Sequence, residues 1–275
     1  MLGALGTLGH GLTALVFALV NYLPYGWRAL YVLGGVPILL LPWLRRSLAE
    51  TRRFEEHREA RGHAGGAAEV FRPMRNLLRM YPGRMLALAA GLFPIAFVLE
   101  TAVTFVSKTL QEQHGYSPGG VAALFLSVGI VAPIGNVVAG SLGDRFGRKP
   151  IMISSVLVNA VMVALFYNVS GMWIPLVWGF MLVTLAMILM LYAAIGNELF
   201  PTSYRSTASG VRQLVATLGA SLGLFVEGLL YGVCGSHAAA ITWMLVVTPI
   251  APIVIAFFLP ETANLELEEI APEKK

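Results

Sequence analysis

The chain has 275 residues, of which 57% are hydrophobic and only 12% are charged. Soluble domains carry about 25% charged residues, so this composition excludes an ordinary soluble protein and indicates a membrane protein. The formal net charge of +4 comes from a few basic loops and predicts no nucleic-acid partner.

Apolar runs recur along the whole chain. A helix needs about 20 apolar residues to cross a hydrocarbon core about 30 Å thick, and runs of this length without strand alternation predict helices rather than a barrel. The predicted fold is all-α, a polytopic membrane helix bundle with eight transmembrane helices. The predicted spans are residues 2–23, 29–44, 85–106, 118–142, 151–167, 174–196, 207–233 and 238–259.

These spans divide the chain into four predicted parts. Residues 1–44 hold two transmembrane helices, 45–84 a basic loop, 85–259 a six-helix unit and 260–275 a tail. All but three of the 19 Lys and Arg residues lie in the breaks after spans two, four and six or in the tail. Because short basic loops stay cytoplasmic, both termini are predicted to be cytoplasmic in a multi-pass plasma-membrane protein.

The loop at residues 45–84 mixes ten arginines with five glutamates. This pattern predicts a solvated linker with amphipathic helical pieces along the membrane face. His57 and His63 are six residues apart and would lie on different faces of a helix, so no metal site is predicted.

Four ionisable residues lie inside the spans: His10, Glu100, Arg212 and Glu227. Charged groups at the centre of a membrane helix are costly and usually face protein or water. Glu100 in span three shares a helix face with Thr104, which makes it a candidate proton or substrate-cation group. The alternative is a buried acid hydrogen-bonded to a neighbouring helix.

Span seven carries a second polar stripe. Its members, at helical spacing, are Gln213, Thr217, Glu227 and Tyr231. Glu227 lies at a depth comparable to that of Glu100, so the two acids can share protons if their helices approach. The alternative is an interfacial acid that reaches outward. Arg212 lies closer to the cytoplasmic end, where it is expected to join a charge network.

Three further candidates have packing as the leading alternative. His10 in span one has small neighbours, which favour close helix contact, although an imidazole there can titrate. Asn136 in span four lies among glycines, and Tyr192 in span six can either pack or line a cavity.

The break after span four reads GSLGDRFGRKP, residues 140–150. Its glycine spacing does not match a phosphate-binding loop. Its three bases favour a cytoplasmic turn, and Asp144 is placed to cap the positive end of a neighbouring helix.

The same residues carry a family resemblance. Gly140-x-x-x-Asp144-Arg145-x-Gly147-Arg148-Lys149-Pro150 resembles the signature loop of major facilitator superfamily transporters. ELFPTSYRSTASG resembles the Glu-x-x-Pro-Thr-x-x-Arg motif of the sugar-porter-like branch and its metabolite-proton symporter relatives. LPETANLELEEI is similar to the motif after the last helix, with Asn264 where Gly is usual, and RRSLAETRRF resembles the start of the central loop.

The resemblance covers the equivalents of the family's helices five to twelve, without the first four. It implies a cytoplasmic charge network that breaks as the two halves rock, acting as a conformational latch. Its predicted members are Asp144, Arg145, Arg148, Glu198, Arg205 and Arg212. The alternative is that these residues serve only as a topology signal and as helix caps.

The expected function is secondary active transport of a small organic solute, coupled to protons, by alternating access. No enzyme activity, cofactor or metal is expected, and the partners are the solute, protons and the lipid bilayer. Span three lacks the paired glutamines of sugar porters, which leaves an organic acid or a drug-like solute as well as a sugar. The alternative is an inactive or regulatory membrane module that needs a partner chain supplying the missing helices.

Overall fold

The structure, a computed structural model, describes residues 12–43, 72–201 and 204–263. Within these ranges every regular element is a helix or a 3-10 turn, which confirms the all-α fold. In chain order the helices are α1 (residues 12–18), α2 (Trp27–Gly35), α3 (Arg72–Met80), α4 (Pro82–Glu112), α5 (Pro118–Leu126), α6 (Val128–Phe146), α7 (Arg148–Phe166), α8 (Trp173–Glu198), α9 (Arg205–Cys234), α10 (His237–Met244) and α11 (Ile250–Phe258).

Six helical segments of the described chain are long and apolar enough to cross a membrane. They coincide with predicted spans three to eight and are Pro82–Glu112, Pro118–Phe146, Arg148–Phe166, Trp173–Glu198, Arg205–Cys234 and His237–Phe258. Predicted span two corresponds to a shorter apolar helix, Trp27–Trp43, that includes the 3-10 turn Val36–Leu40. Predicted span one overlaps α1 and the 3-10 turn Val20–Tyr22, and its first part, including His10, lies outside the described residues.

Two of the six segments are interrupted. Span four consists of α5 and α6, which meet at Ser127. Span eight consists of α10 and α11, separated by the 3-10 turn Leu245–Val247 and by Pro249. Proline has no N–H to continue the helical hydrogen-bond ladder, so the α-helical pattern breaks just before Pro249.

The core of the six-span unit lies where α4 packs against α9 and α11, and where α8 packs against α6 and α7. Buried polar side chains join these helices by hydrogen bonds. The Asn159 amide nitrogen on α7 donates to the Met181 carbonyl oxygen (2.8 Å) and to Thr184 Oγ1 (2.7 Å) on α8. A buried amide without such partners would be costly, so these bonds fix the α7–α8 contact.

Helices α4 and α9 approach each other closely along a glycine stripe. A Cβ atom added at Gly219 would lie 2.9 Å from the Phe93 carbonyl oxygen, and one at Gly223 would collide with the carbonyl oxygen of Phe97. Small residues four apart allow two membrane helices to bring their backbones together. The next residue on this stripe is Glu227, which the packing turns toward α4.

The N-terminal described segment packs differently. Neither α2 nor the 3-10 turn that follows it contains a buried residue, and Tyr31, Leu39 and Trp43 are 76%, 77% and 68% exposed. Helix α3 is amphipathic, since Leu77 is fully buried whereas Arg75 and Arg79 are exposed. This agrees with the amphipathic pieces expected in the linker, whose residues 44–71 lie outside the described chain.

Candidate functional site

The turn between α6 and α7 depends on Gly147. This residue has φ 97°, a conformation that strongly favours glycine. A Cβ atom at Gly147 would also lie 2.7 Å from Glu261 Oε2. The glycine of the signature loop therefore provides both the turn and the space in which the Glu261 carboxylate lies.

Glu261 caps the N-terminus of α7 from the segment that follows α11. Its carboxylate accepts hydrogen bonds from the backbone N–H groups of Arg148 (2.9 Å) and Lys149 (3.1 Å), the first two residues of α7. It also accepts from the backbone N–H groups of Thr262 and Ala263, each at 2.9 Å. These donors are unsatisfied within α7 and carry the positive end of its dipole, so a carboxylate there stabilises the helix.

The same contacts set the charge state of Glu261. Partial burial acts to raise the pKa of this carboxyl, but the four backbone N–H donors lower it, and the net shift is below the usual value. Hydrogen bonds to the charged form favour that form. Glu261 is therefore ionised at neutral pH and holds α7 to the segment after α11 as an anion.

Arg148 links the α6–α7 turn to α8. Its guanidinium forms an ion pair with Glu198, the last residue of α8, and the two side chains are 21% and 18% exposed. Asp144 Oδ1, on an exposed side chain of α6, lies 3.7 Å from the Arg148 guanidinium. The structure thus brings together three of the predicted network residues: Asp144, Arg148 and Glu198.

The other three predicted network members form no ion pair with a carboxylate of the described residues. The Arg145 guanidinium lies 5.1 Å from the centroid of the Phe146 ring, and Arg205 Nε donates to the Phe200 carbonyl oxygen at 3.4 Å. Arg212 donates to the Tyr192 carbonyl oxygen (3.2 Å) and to Ser209 Oγ (3.4 Å). Arg212 is half-buried and lines a small crevice between α4 and α9.

Glu227 is buried and paired with a residue that the sequence pattern did not single out. Its Oε1 lies 2.6 Å from Nδ1 of His237, and the two residues are 1% and 8% exposed. The structure does not pair Glu227 with Glu100, which is exposed on α4. Glu227 also does not extend outward from the bundle, because the glycine stripe of α9 packs this face of the helix against α4.

The remaining polar candidates are exposed. Glu100 and Thr104 lie one turn apart on α4, and the Thr104 hydroxyl donates to the Glu100 carbonyl oxygen at 2.8 Å. Asn136 on α6 and Gln213 on α9 are also exposed. The predicted stripe of span seven is therefore split, with Gln213 on an exposed face and Glu227 on a buried one.

Tyr192 lies inside the bundle. Its hydroxyl donates to the Leu88 carbonyl oxygen of α4 at 2.6 Å, and the residue is 2% exposed. A Cβ atom added at Gly91 would lie 2.7 Å from the Tyr192 hydroxyl oxygen, so Tyr192 fits a gap left by glycine. This placement favours packing over contact with a solute.

Three residues of the site were missed by the sequence patterns. Glu261 belongs to the tail motif, but in the sequence it follows the end of α11, so nothing nearby marks its contact with the start of α7. Arg84 donates to the Leu199 carbonyl oxygen at 2.8 Å and so caps the end of α8, but nothing in its local sequence marks this contact. His237 lies one residue before the predicted start of span eight, so it is not among the ionisable residues inside the predicted spans.

Residues 86–274 match the family model of the Major Facilitator Superfamily. The chain belongs to this superfamily. It is 28% identical to the probable 4-methylmuconolactone transporter of Cupriavidus pinatubonensis (strain JMP 134 / LMG 1197), over 96% of this chain and 61% of the relative. It is 25% identical to the shikimate transporter of Escherichia coli (strain K12), over 77% of this chain and 49% of the relative.

The glucose transporter GlcP of Staphylococcus epidermidis (strain ATCC 12228 / FDA PCI 1200) is 26% identical, over 99% of this chain and 68% of the relative. The inward open conformation of the xylose transporter XylE from E. coli superposes with TM-score 0.57 and 19% identity, over 96% of this chain and 62% of that chain. This likeness shows the fold alone. The chain spans about half to two thirds of the length of these proteins.

Membership of the superfamily, together with the six helical segments of residues 82–258 that are long and apolar enough to cross a membrane, makes the chain a multi-pass membrane protein. The superfamily and the named relatives are transporters rather than enzymes.

Proposed function

We propose that the chain is a secondary active transporter that moves a small organic solute across the plasma membrane, coupled to protons, by alternating access. In this proposal the basic turn at residues 144–149 and both termini are cytoplasmic. The observation that carries the proposal is an exposed acid halfway along an otherwise well-packed membrane helix.

Helix α4 has 31 residues, about 46 Å at 1.5 Å per residue, and Glu100 lies three residues beyond its midpoint at Phe97. Most of the apolar part of α4 is buried, but Glu100 and Thr104 are exposed. An acid at this depth in contact with lipid tails would be costly, so it faces water or protein. We infer that Glu100 lines the solute pathway, with Asn136 and Gln213 as further polar contacts.

The transport proposal is tested by placing the purified chain in lipid vesicles. Shikimate and glucose, which two of the relatives are named for, are offered as solutes, each with and without a proton gradient. We expect uptake of one solute class to rise at least tenfold when a gradient is imposed. Uptake at the same rate with and without the proton gradient would contradict proton coupling.

The role of Glu100 is tested with a matched pair of variants in the same assay. Glu100→Gln removes the mid-helix charge, whereas Glu112→Gln removes an exposed acid at the end of the same helix, where Lys108 Nζ lies 4.0 Å away. We expect Glu100→Gln to lower solute uptake at least tenfold and Glu112→Gln to leave it within twofold. Equal uptake by both variants would remove Glu100 from the solute pathway.

We further propose that Arg148, Glu198 and Asp144 act as the conformational latch. The Arg148–Glu198 pair fastens the α6–α7 turn to the end of α8, which supports this role. A few charge-assisted bonds of roughly 1.5 to 3 kcal/mol each are enough to bias a two-state equilibrium.

A second proposal is that the chain works with a partner chain that supplies further helices. It rests on the exposed apolar surface of Trp27–Trp43, which has no buried residue in α2 or the turn after it. Uptake that requires a co-expressed membrane protein would support this alternative. Full uptake by the purified chain alone would exclude it.

A further inference from the structure

A buried histidine and glutamate lie at the end of the bundle remote from the basic turn. Glu227 follows Arg205 by about 33 Å along α9, roughly the thickness of a hydrocarbon core. The His237 ring is stacked between Phe105 and Tyr231, with centroid distances of 4.4 and 4.3 Å. Both faces of the imidazole are therefore covered, and its Nδ1 points to the Glu227 carboxylate at 2.6 Å.

The local sequence builds this contact from short-range features. Gly235 adopts the left-handed conformation (φ 72°) that ends α9, and the Ser236 hydroxyl accepts from the Ala239 N–H to start α10. This two-residue turn places His237 back against the last turns of α9. The glycine stripe at Gly219 and Gly223 places Glu227 against α4, so the carboxylate has protein around it.

The Glu227–His237 pair can bind one proton in addition to the proton on the neutral histidine. With Glu227 ionised and His237 neutral, Nδ1–H donates to the carboxylate and Nε2 carries a lone pair. Nε2 is buried and has no hydrogen-bond partner among the described residues. A proton bound at Nε2 produces an imidazolium beside a carboxylate, and a proton bound at the carboxylate produces two neutral groups. Either event changes the net charge of the pair from −1 to zero.

Burial makes the free energies of these two charge states, −1 and zero, unequal. A single negative charge in a site of low polarity is costly, whereas a pair with zero net charge is tolerated. Few other charges compensate for it in the described chain. The titratable groups near the pair are Tyr231 on α9, whose ring stacks on His237, and Tyr167 after α7. Lys108 on α4 lies 6.0 Å from the Tyr231 ring centroid, and its Nζ is 4.0 Å from Glu112.

We propose that Glu227 and His237 form a proton-binding site that takes up one proton when the end of the bundle is closed and releases it when water enters. The proposal deepens the transport function above, because the coupling of proton movement to solute movement requires that function. Proton binding by Glu227 and His237 does not depend on transport. Opening α9 or α10 away from Phe105 hydrates the pair and permits the state with net charge −1. The proton would thus leave or enter with the movement of these helices.

The site is tested by nitrogen NMR of the full chain in lipid nanodiscs, with ¹⁵N-labelled histidine. The chain has five histidines, and the His237 signals are those absent from His237→Gln. We expect these signals to report the uptake of one proton when the sample is titrated from about pH 8 to about pH 5. We expect Glu227→Gln to displace the midpoint by about one pH unit or more, because the two groups share the proton.

The proposal would be overturned, in favour of a fixed structural pair, by either of two results. One is that the His237 signals do not change with pH, and the other is that Glu227→Gln leaves their midpoint unchanged. The double variant Glu227→Gln/His237→Gln provides a second measurement that does not leave one charge buried alone. A pH dye should show that it takes up one proton fewer per chain than the wild type over the same range. Equal uptake by the two proteins would also overturn the proposal.

Coupling is tested separately by following proton entry into vesicles when solute is added. His237→Gln should lower solute-driven proton entry at least tenfold, whereas the matched control His114→Gln, near the end of α4, should leave it unchanged. Proton entry that survives His237→Gln would overturn the role of the pair in coupling. If the wild type moves no protons with any solute, the transport proposal fails, and the NMR titration still decides the proton site.

Discussion

The two ends of the six-span unit hold charge in different ways. At the basic-turn end, Glu261 accepts four backbone hydrogen bonds and Arg148 pairs with Glu198, all on partly exposed side chains. At the histidine end, Glu227 and His237 contact each other, and their side chains are only 2% and 10% exposed. A carboxylate with several donors keeps one charge state, whereas a buried pair changes its charge state with one proton. The first arrangement holds helices together, and the second is suited to responding to the binding or loss of a proton.

The largest expected effect comes from opening the histidine end. Gly223→Leu would place a side chain against the Phe97 carbonyl oxygen and force α9 away from α4. We expect a loss of stability on the order of 3 kcal/mol or more, since overpacking against backbone cannot relax easily. Thermal unfolding in detergent, with size-exclusion chromatography, measures this loss.

The matched control for that prediction is Gly228→Leu on the same helix. No atom lies within 4 Å of a Cβ atom built at Gly228. This variant should therefore unfold at nearly the wild-type temperature. Equal destabilisation by the two variants would show that the close approach of α4 and α9 does not matter.

A smaller effect is expected from the ion pairs at the basic-turn end. Glu198→Gln removes a carboxylate that is 18% exposed and should destabilise by about 1 to 2 kcal/mol. Asp144→Asn removes one that is 71% exposed and lies 3.7 Å from Arg148, so its effect should stay below about 0.5 kcal/mol. Denaturation at low and high salt distinguishes the two, because only the exposed contact is strongly screened.

The outcome that would contradict this ranking is a larger effect of Asp144→Asn than of Glu198→Gln. The latch role of Asp144 is a separate question, measured by the balance of inward and outward states. If Asp144→Asn leaves both the transport rate and that balance unchanged, the latch consists of Arg148 and Glu198 without it.

A further effect, between those of Glu198→Gln and Asp144→Asn in size, concerns the pH dependence of the Glu261 cap. Because the pKa of this carboxyl in the folded chain lies below its usual value of 4.5, the cap stabilises the fold fully above about pH 4.5. The stabilisation is lost as the pH falls through the folded value. Glu261→Gln should cost about 1 kcal/mol at pH 7, and this margin over the variant should shrink below pH 4.5. A margin that grows on acidification, in unfolding measured across pH, would contradict the assignment.

The positions of the membrane helices could be predicted because hydropathy is a local property. Spans three to eight coincide with observed helices, and the Arg148–Glu198 contact follows from the two motifs that carry these residues. The direction in which each helix faces could not be predicted in the same way. In an apolar chain, lipid and neighbouring helices select similar side chains, so the pattern did not reveal that Glu227 faces α4 while Gln213 is exposed.

The partner of Glu227 was missed for a related reason. His237 lies in the turn between α9 and α10, where a histidine is unremarkable by composition. Its importance arises from the two-residue turn and from the aromatic rings of Phe105 and Tyr231, which are distant or unmarked in sequence. Glycine spacing at Gly219 and Gly223 was the one available signal, since it predicts a close approach that continues to Glu227 one turn later.

The Glu261 cap has a consequence for the order of biogenesis. The carboxylate that completes the start of α7 is synthesised 113 residues after Arg148. At about 5 to 20 residues per second, α7 would wait on the order of 10 s with those two N–H groups lacking their carboxylate acceptor. The contact between α7 and the segment after α11 is therefore a late event of assembly. A chain whose synthesis stops within α11 would contain both residues of the Arg148–Glu198 pair but would lack the cap on α7.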